Sequence, residues 1–269
     1  MSIDDLIGPI LMALFVIALA AEALVPRDAM PVRRFWRLKG LLFFVVIAAV
    51  NSVLPLLLPL PWIAAHSLLP GHRLGVGGGF VVGWLANGAI YYGWHRLQHH
   101  SALLWRLTHQ LHHSAPRVDV AGFAYVHPLD VAAQSTLSLV LTIGLLGLQP
   151  EAASLIGLVT AVVSLAQHLN LRTPLWLEWF MQRPEAHLRH HEYGVHAGNY
   201  ADWPVWDKLF GTYRAPPTAP LRYGFDVAAE RRWGAMLLGV DVNPGRSPMQ
   251  RDDASTDGFP RRPSRPPQR

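Results

Sequence analysis

Long apolar segments separated by short polar connections occupy most of the first two thirds of the sequence. A helix needs about 20 apolar residues to cross a bilayer core of about 30 Å. Five runs approach this length, and none of them contains more than one Asp, Glu, Lys or Arg. They cover residues 6–25, 41–65, 74–94, 131–148 and 152–171. The pattern predicts an all-α integral membrane protein with four to five transmembrane helices.

Prolines and one polar turn refine these boundaries. Pro55, Pro59 and Pro61 are expected to kink or end the second helix before its apolar run stops, because proline lacks the backbone N–H that a helix requires. A Gln-Pro-Glu turn at 149–151 separates the fourth run from the fifth. The first run follows an acidic start rather than a basic one, so we expect a retained span and not a signal peptide.

The distribution of Lys and Arg gives an orientation. Five basic residues lie at 26–39 between the first two runs, whereas Arg73 is the only one between the second and third. Connections rich in Lys and Arg stay in the cytoplasm. The first connection is therefore predicted to be cytoplasmic. Alternation of the spans then places residues 95–128, and everything after residue 172, on the same side.

Composition supports a membrane protein and excludes several kinds of chemistry. Hydrophobic residues make up 51% of the chain and charged residues only 15%, against about 25% in soluble domains. The absence of cysteine excludes disulfides, iron–sulfur clusters and a thiol nucleophile. The net charge of +5 comes from residues 26–39 and from a Pro- and Arg-rich tail at 241–269, which is predicted to be disordered. We therefore expect no nucleic-acid partner.

Histidine clusters carry the candidate chemistry, and all lie on the predicted cytoplasmic side. Spacings of three and four residues place side chains on one helix face, where two imidazoles can reach one metal ion. So many imidazoles without a metal would repel one another once any became protonated, and metal binding avoids this. The clustered histidines are His95 and His99, then His109, His112 and His113, then His187, His190 and His191, with a lone His168 at the end of the fifth run.

These nine histidines are the predicted metal ligands, and their number favours two metal ions. A zinc site takes four ligands, so nine imidazoles exceed one site. A His-x-x-His-His motif can serve one metal or bridge a pair. Imidazole binds Zn, Cu, Fe and Ni, so ligand type leaves the metal open. The sequence contains neither a Glu-x-x-His motif nor a nucleotide-binding loop. Any reducing equivalents would have to come from a partner.

The order of motifs between Tyr91 and Tyr213 resembles the sterol desaturase and fatty acid hydroxylase superfamily of membrane di-iron oxygenases. The segments that resemble the first two boxes are Tyr91-Tyr92-Gly93-Trp94-His95-Arg96-Leu97-Gln98-His99 and Leu104-Trp105-Arg106-Leu107-Thr108-His109-Gln110-Leu111-His112-His113-Ser114. They are followed by His127-Pro128-Leu129-Asp130, Gln167-His168-x-Asn170 and Pro184-x-x-His187-x-x-His190-His191. The closing signature is Asn199-Tyr200 and then Trp206-Asp207-Lys208-Leu209-Phe210-Gly211-Thr212-Tyr213.

This resemblance implies two iron ions, O₂ as oxidant, and hydroxylation or desaturation of an unactivated C–H bond of a lipid from the bilayer. Electrons would come from a separate ferredoxin- or cytochrome-b5-type donor. Two departures leave the lipid open. Asn87-Gly88 stands where many relatives carry an acidic residue, and Ala201-Asp202 follows Tyr200 where relatives often have glycine.

Several other polar residues are candidates for supporting roles. His127 is a possible tenth ligand, although Pro128 after it also suits a turn that positions the chain. Asn170 either holds a metal-bound water or caps a helix, and His196 lies either beside the ligands or in solvent. Asp207 is a candidate partner for a ligand imidazole. Further candidates of this last kind are Asp130, Glu192 and Asp202. We expect His66, His72 and His100 to lie outside the site, and Trp206 and Phe210 to serve packing.

The expected organisation has four parts: N-terminal transmembrane helices at 1–90, a histidine-box core at 91–213 that includes a transmembrane hairpin, an extension at 214–240, and the tail at 241–269. In the core, a cytoplasmic helical cap would hold the dinuclear site. The alternative function is a histidine-rich metal transporter or a metal-binding protein without redox activity. A transporter places its ligands near the bilayer midplane, whereas only His168 lies within an apolar run.

Overall fold

The computed structural model describes residues 3–244, whose regular elements are all helices and which form no β-strand. Four helical segments are long and apolar enough to cross a membrane, and they cover Asp5–Leu24, Trp36–Leu57, Gly71–His100 and Pro128–Leu145. In chain order the α-helices are α1 (Ile3–Leu24), α2 (Trp36–Leu57), α3 (Leu60–Ala65), α4 (Gly75–His100), α5 (Ala102–Leu104), α6 (Gln110–His113), α7 (Val120–Ala124), α8 (Pro128–Leu139), α9 (Pro150–Ala166), α10 (Pro184–His187), α11 (Pro204–Leu209), α12 (Val227–Glu230) and α13 (Trp233–Leu237).

Short 3₁₀- and π-helical segments complete the elements. The 3₁₀ turn Gly71–Leu74 leads into α4, and a second one covers Leu175–Trp179. The π-helix Val140–Leu145 extends α8, and the π-helix Trp105–His109 joins α5 to α6. Inserted π turns occur often at functional sites because they change which side chains share a face.

The fifth apolar run forms α9, which is shorter than the other four segments. Its 17 residues extend about 26 Å, and the helix packs between α1 and α4. The predicted run continued to residue 171, but the helix ends at Ala166. The N–H of Asn170 instead donates to the Glu22 carboxylate of α1 at 2.7 Å. The prediction of four to five spans is thus consistent with four long helices and one short partner.

Prolines end the second helix as expected. α2 stops at Leu57, Leu58 is extended, and Pro59 precedes the separate short helix α3. The chain then meets the end of the fourth segment. The N–H of Leu69 donates to the carbonyl of Leu145 at 3.0 Å, and the N–H of Gly71 donates to that of Leu146 at 2.9 Å. The connections at 66–74 and 145–149 therefore lie together at one end of the bundle.

The opposite end contains the basic connection after α1 and all three histidine clusters. The N–H of Arg27 donates to the carbonyl of Asn170 at 2.7 Å. Nearby, the Arg33 guanidinium pairs with Glu230 at 3.0 Å. We call the residues at this end outside the long helices, 101–127 and 167–244, the cap. The predicted co-location of these segments is a feature of the fold, and which membrane face they occupy stays a prediction.

The cap has its own apolar core, which includes the C-terminal extension. Trp36, Trp105 and Leu111 are buried together with Phe225 and Met236. Segment 214–240 therefore packs directly on the histidine-box core. Val242 is also buried in this cluster, so packing continues past the predicted start of the tail. Residues 245–269 of that predicted tail lie outside the described residues.

Candidate metal centre

All nine predicted ligands converge in two adjacent groups inside the cap end of the bundle. Within each group, one ring nitrogen from every histidine lies within 4.8 Å of those of the others. All nine side chains are buried except that of His95, which is partly buried. The first group contains His95, His99, His109, His113 and His190, and the second contains His112, His168, His187 and His191.

The two His-x-x-His-His motifs contribute to these groups in opposite ways. His109 and His113 belong to the first group, while His112 between them belongs to the second. In the other motif His187 and His191 belong to the second group, while His190 belongs to the first. Each motif thus gives its i, i+4 pair to one group and its remaining histidine to the other. The spacing allowed each motif either to serve one metal or to bridge a pair of metals, and the structure shows the bridging arrangement.

Ring nitrogens in the first group approach one another at distances typical of ligands on one metal. Nε2 of His109 lies 2.9 Å from Nε2 of His95 and 3.1 Å from Nε2 of His113. Two imidazole nitrogens bound at about 2.1 Å to one ion are separated by about 3.0 to 3.4 Å, depending on its geometry. The separations in the protein fall close to this range.

Hydrogen bonds on the opposite ring nitrogens show that these contacts need a cation. The Nδ1–H of His95 donates to the Tyr200 carbonyl at 2.6 Å, and that of His109 donates to Asp130 at 3.2 Å. A neutral imidazole carries only one N–H. When both rings are neutral, their Nε2 atoms therefore present lone pairs to each other at 2.9 Å, which is repulsive unless a proton or a metal ion lies between them.

The second group repeats the same arrangement. Nε2 of His168 lies 3.1 Å from Nε2 of His112 and 3.2 Å from Nε2 of His187. The Nδ1–H of His168 donates to the Ser164 carbonyl at 2.7 Å, and that of His187 donates to Oε1 of Gln182 at 2.9 Å. The Nε2 lone pairs of His168 and His187 therefore face each other. In His168 and His187 the other ring nitrogen is already hydrogen-bonded, so Nε2 is the atom left for a metal.

Ring nitrogens without a partner point to the same conclusion. Nε2 of His190 is buried and has no hydrogen bond within the described part of the chain, while its Nδ1–H donates to the Gly198 carbonyl at 2.7 Å. Burial of a polar atom without a partner costs about 1–3 kcal/mol. A metal ion in the first group would satisfy this nitrogen. The residues present therefore fit two metal ions with all-nitrogen ligand sets.

Burial and neighbouring imidazoles favour the neutral, metal-binding state at several of these histidines. Loss of hydration on burial, followed by repulsion from neighbouring imidazoles, lowers the pKa of His113 and His190 well below the ordinary value of 6.5. The same causes lower the pKa of His187 and His191. Burial lowers the pKa of His168 to about 4.

Comparison with known proteins identifies the family. Residues 80–212 match the fatty acid hydroxylase family model, and this range includes all nine histidines. Residues 80–212 are therefore a fatty acid hydroxylase domain of the sterol desaturase and fatty acid hydroxylase superfamily. Neither a curated protein nor a solved structure matches the chain. Together with the apolar helices, the match indicates a membrane oxidoreductase of the hydroxylase or desaturase type.

Asp130 is the main support for the first group of this fatty acid hydroxylase domain. Its Oδ2 accepts the Nδ1–H of His109, and its Oδ1 accepts from Gln98 and Gln134 at 2.8 Å and from Trp94 at 3.2 Å. Four donors around a single carboxylate hold it in one orientation. The carboxylate in turn fixes which nitrogen of His109 carries the proton.

Asp207 supports the first group indirectly. Its carboxylate accepts the backbone N–H groups of Tyr200 and Ala201, each at 2.8 Å. The Tyr200 carbonyl is the acceptor for His95. Asp207 thus positions the backbone carbonyl that orients His95. Among the described residues we observe no hydrogen bond from Asp207 to a ligand histidine.

The observed side-chain partners of the remaining acidic candidates are residues other than the ligand histidines. The Asp202 carboxylate accepts from Ser164 and Gln167, and burial raises its pKa to about 6. Glu192 forms ion pairs with Arg189 at 3.2 Å and Arg214 at 3.4 Å. These contacts link segments of the cap.

His127 and Asn170 take positioning roles. Nδ1 of His127 accepts the N–H of Leu129 at the start of α8, and its Nε2 lies 3.2 Å from the Leu237 carbonyl. His127 lies in neither group, so the turn interpretation describes its place. The Asn170 side chain exchanges hydrogen bonds with the backbone of Asp28. It joins the loop after α9 to the loop after α1.

His196 lies beside the first group, where its Nδ1 is 3.0 Å from Nδ1 of His113. It is buried, so the solvent-exposed alternative is wrong. His66, His72 and His100 are exposed and outside both groups, as expected. The Nδ1 of exposed His100 bonds to the Arg96 carbonyl one turn earlier.

Glu22 and Gln182 are supporting residues that the sequence did not identify. The buried Glu22 carboxylate accepts the N–H groups of Val120 and Asn170, and so joins α1 to the two segments that follow the second motif and His168. A signal existed, because an acidic side chain inside a predicted span is a functional candidate. Gln182, by contrast, lies in a segment without a recognisable pattern.

Proposed function

We propose that this protein is a membrane di-iron oxygenase that uses O₂ to hydroxylate or desaturate an unactivated C–H bond of a lipid. One observation carries the proposal: nine histidines of a fatty acid hydroxylase domain form two adjacent groups, and in each group one pair of Nε2 lone pairs faces each other. Iron bound there would supply the one-electron chemistry that O₂ requires. The polypeptide supplies ligand orientation, neutral imidazoles and exclusion of water.

Each part of this contribution has identifiable residues. Asp130 and the Tyr200 carbonyl hold the protons of His109 and His95 on Nδ1, and Ser164 and Gln182 do the same for His168 and His187. Burial of the groups keeps bulk water away from the reacting atoms. The site lies where the long apolar helices end, so a lipid chain can approach between helices from the bilayer.

Electron supply completes the proposal. The described residues contain no cysteine, and the sequence has no flavin- or nucleotide-binding motif. We therefore propose a separate ferredoxin- or cytochrome-b5-type donor. If the basic connection after α1 is cytoplasmic, the cap and both histidine groups face the cytoplasm, where such a donor is available.

Iron content and O₂ uptake of the purified protein test the proposal. We expect about two iron ions per chain and reductant-dependent O₂ consumption. His99→Ala should reduce both, whereas His100→Ala, at the adjacent exposed position, should change neither. A wild-type preparation that retains its fold, binds zinc in both groups and consumes no O₂ after loading with iron would contradict the proposal.

Two further measurements address substrate and the transport alternative. Comparative lipidomics of a deletion strain should show an accumulating precursor, and the mass difference from the missing product distinguishes hydroxylation from desaturation. The ligands lie at one end of the bundle rather than along its length, which disfavours a transport pathway. Metal flux into vesicles should be the same for the wild type and His112→Ala.

A further inference from the structure

A small pocket between α4, α9 and α11 contains polar groups that the proposed metal centre does not use. Trp84 and Trp203 stack at 5.3 Å between ring centres and form one wall. Asn87 and Thr160 contribute polar atoms from the facing helices α4 and α9. Trp206, which the sequence assigned to packing, also lines this space.

Two of the lining groups lack hydrogen-bond partners among the described residues. Oδ1 of Asn87 is unpartnered although the residue is only 2% exposed, and Nε1 of Trp206 is likewise buried and unpartnered. The Asn87 amide nitrogen makes one long bond, 3.3 Å, to Thr160. One unused acceptor and one unused donor therefore line the same pocket.

The size and charge of the pocket restrict what it binds. Its free space is about 10 Å³, which is room for about one water-sized group. Asp202 is the one carboxylate in its lining, and no described Lys or Arg lines it. A lipid carboxylate would therefore meet a negative charge without a compensating cation. A neutral hydroxyl, which both donates and accepts, matches the pair of unused groups.

Two helices that line the pocket also carry or precede ligand histidines farther along the chain. Tyr91 lines it and lies one turn before His95 on α4, while Thr160 lies two turns before His168 beyond α9. Eight residues separate Asn87 from His95, which corresponds to roughly 12 Å along the helix axis. The carbon to be oxidised would then lie roughly 12 Å along the substrate from a hydroxyl held at Asn87.

We propose that Asn87 and Trp206 form a polar subsite for a hydroxyl group of the lipid substrate. The hydroxyl donates to Oδ1 of Asn87 and accepts from the Nε1–H of Trp206. The substrate class is then a neutral lipid alcohol that is oxidised at a carbon remote from its hydroxyl. This inference rests on the proposed function for its role in catalysis, but binding at the subsite can be measured without turnover.

Photolabelling in proteoliposomes tests the subsite directly. The probes are diazirine derivatives of octadecanol and of cholesterol. The competitors are each parent alcohol, its methyl ether, and octadecanoic acid. We expect both the label and the competition to map to peptides containing Asn87 or Trp206. At least one alcohol should compete about tenfold better than its methyl ether, since one hydrogen bond contributes up to about 1.4 kcal/mol.

Two variants separate the two hydrogen bonds. Asn87→Leu should abolish the preference for the alcohol over the ether, because the ether has already lost the donated bond. Trp206→Phe should weaken alcohol and ether alike, because both oxygens accept from the indole. Asn51→Leu is the matched control, because Asn51 is an exposed asparagine on α2 and does not line the pocket. This variant should keep the wild-type preference for the alcohol over the ether.

A variant of the helix backbone adds an independent test. A Cβ at Gly88 would lie 2.9 Å from Nε1 of Trp206, so Gly88→Ala should reduce labelling by every probe. Iron content, measured in parallel, shows that each variant is folded and tests the proposed function separately. Equal competition by alcohol and ether, or no labelling of the pocket by either alcohol probe, would overturn the subsite and leave a water-filled gap as its explanation.

Discussion

Asp130→Asn changes one atom of a buried side chain and should selectively weaken the first histidine group. In the wild type, Oδ2 of Asp130 accepts from His109, while Oδ1 accepts from Gln98, Gln134 and Trp94. The best orientation of the asparagine keeps its oxygen toward these three donors. Its NH₂ group then faces the Nδ1–H of His109, so two donors oppose each other.

His109 can relieve this conflict only by moving its proton to Nε2. That tautomer removes the lone pair which lies 2.9 Å from Nε2 of His95 and 3.1 Å from Nε2 of His113. Changes to such supporting groups weaken metal affinity by roughly 10- to 100-fold, which corresponds to about 1.4 to 2.7 kcal/mol. The second group has no contact with Asp130 that we observe among the described residues, so its affinity should change much less.

Titration of the metal-free protein with Co(II), followed by visible absorption, measures both sites. Wild type should bind two equivalents, and Asp130→Asn should show one of them weakened by this factor. Asp202→Asn is the control for metal binding, because Asp202 is also largely enclosed but its observed partners are Ser164 and Gln167. Two equivalents bound by Asp130→Asn with wild-type affinity would refute the tautomer argument.

Three further predictions concern stability and topology. Glu22→Leu should lower the unfolding free energy in detergent by about 1–3 kcal/mol for each of the two backbone N–H groups that it leaves unpaired. Glu22→Gln should lower it much less, because a single Glu22 oxygen accepts both N–H groups and the glutamine keeps one oxygen. An equal loss of stability in both variants would contradict this reasoning. The metal-free protein should lose stability as the pH falls from 6.5 toward 4. In this range a histidine of the unfolded chain binds a proton, whereas buried His168 in the folded protein does not, because its pKa is lowered to about 4. A melting temperature that is constant from pH 7.5 to 5 would count against this prediction. The chain lacks cysteine, so an impermeant maleimide should label His72→Cys on intact cells and Arg34→Cys only after permeabilisation, and the reverse pattern would invert the predicted orientation.

The histidine clusters could be predicted from sequence because their spacing is local. An i, i+4 pair lies on one helix face wherever the helix goes, and His95 and His99 do fall in the same group. The apolar runs likewise identified the long helices, since the length needed to cross a bilayer is fixed. Composition and spacing were sufficient for these features because none depends on distant contacts.

The division into two groups could not be read from spacing alone. It depends on how the π-helix Trp105–His109 and the turn after α10 rotate their histidines toward α4 and the end of α9. The roles of His127 and Asn170 depend on partners more than 100 residues away in the chain, at Leu237 and Asp28. Such long-range pairing is decided by packing of the whole cap, which a local pattern does not contain.

The crossed contribution of the two motifs has a mechanical consequence. His112 and His113 are neighbours in the chain yet serve different groups, and so are His190 and His191. Consecutive Cα atoms are about 3.8 Å apart and joined by a rigid peptide unit. The peptide units of these two neighbouring pairs limit how far the two histidine groups can separate. Thermal motion of the surrounding helices can therefore tilt the two histidine groups together, but it cannot readily move one group away from the other.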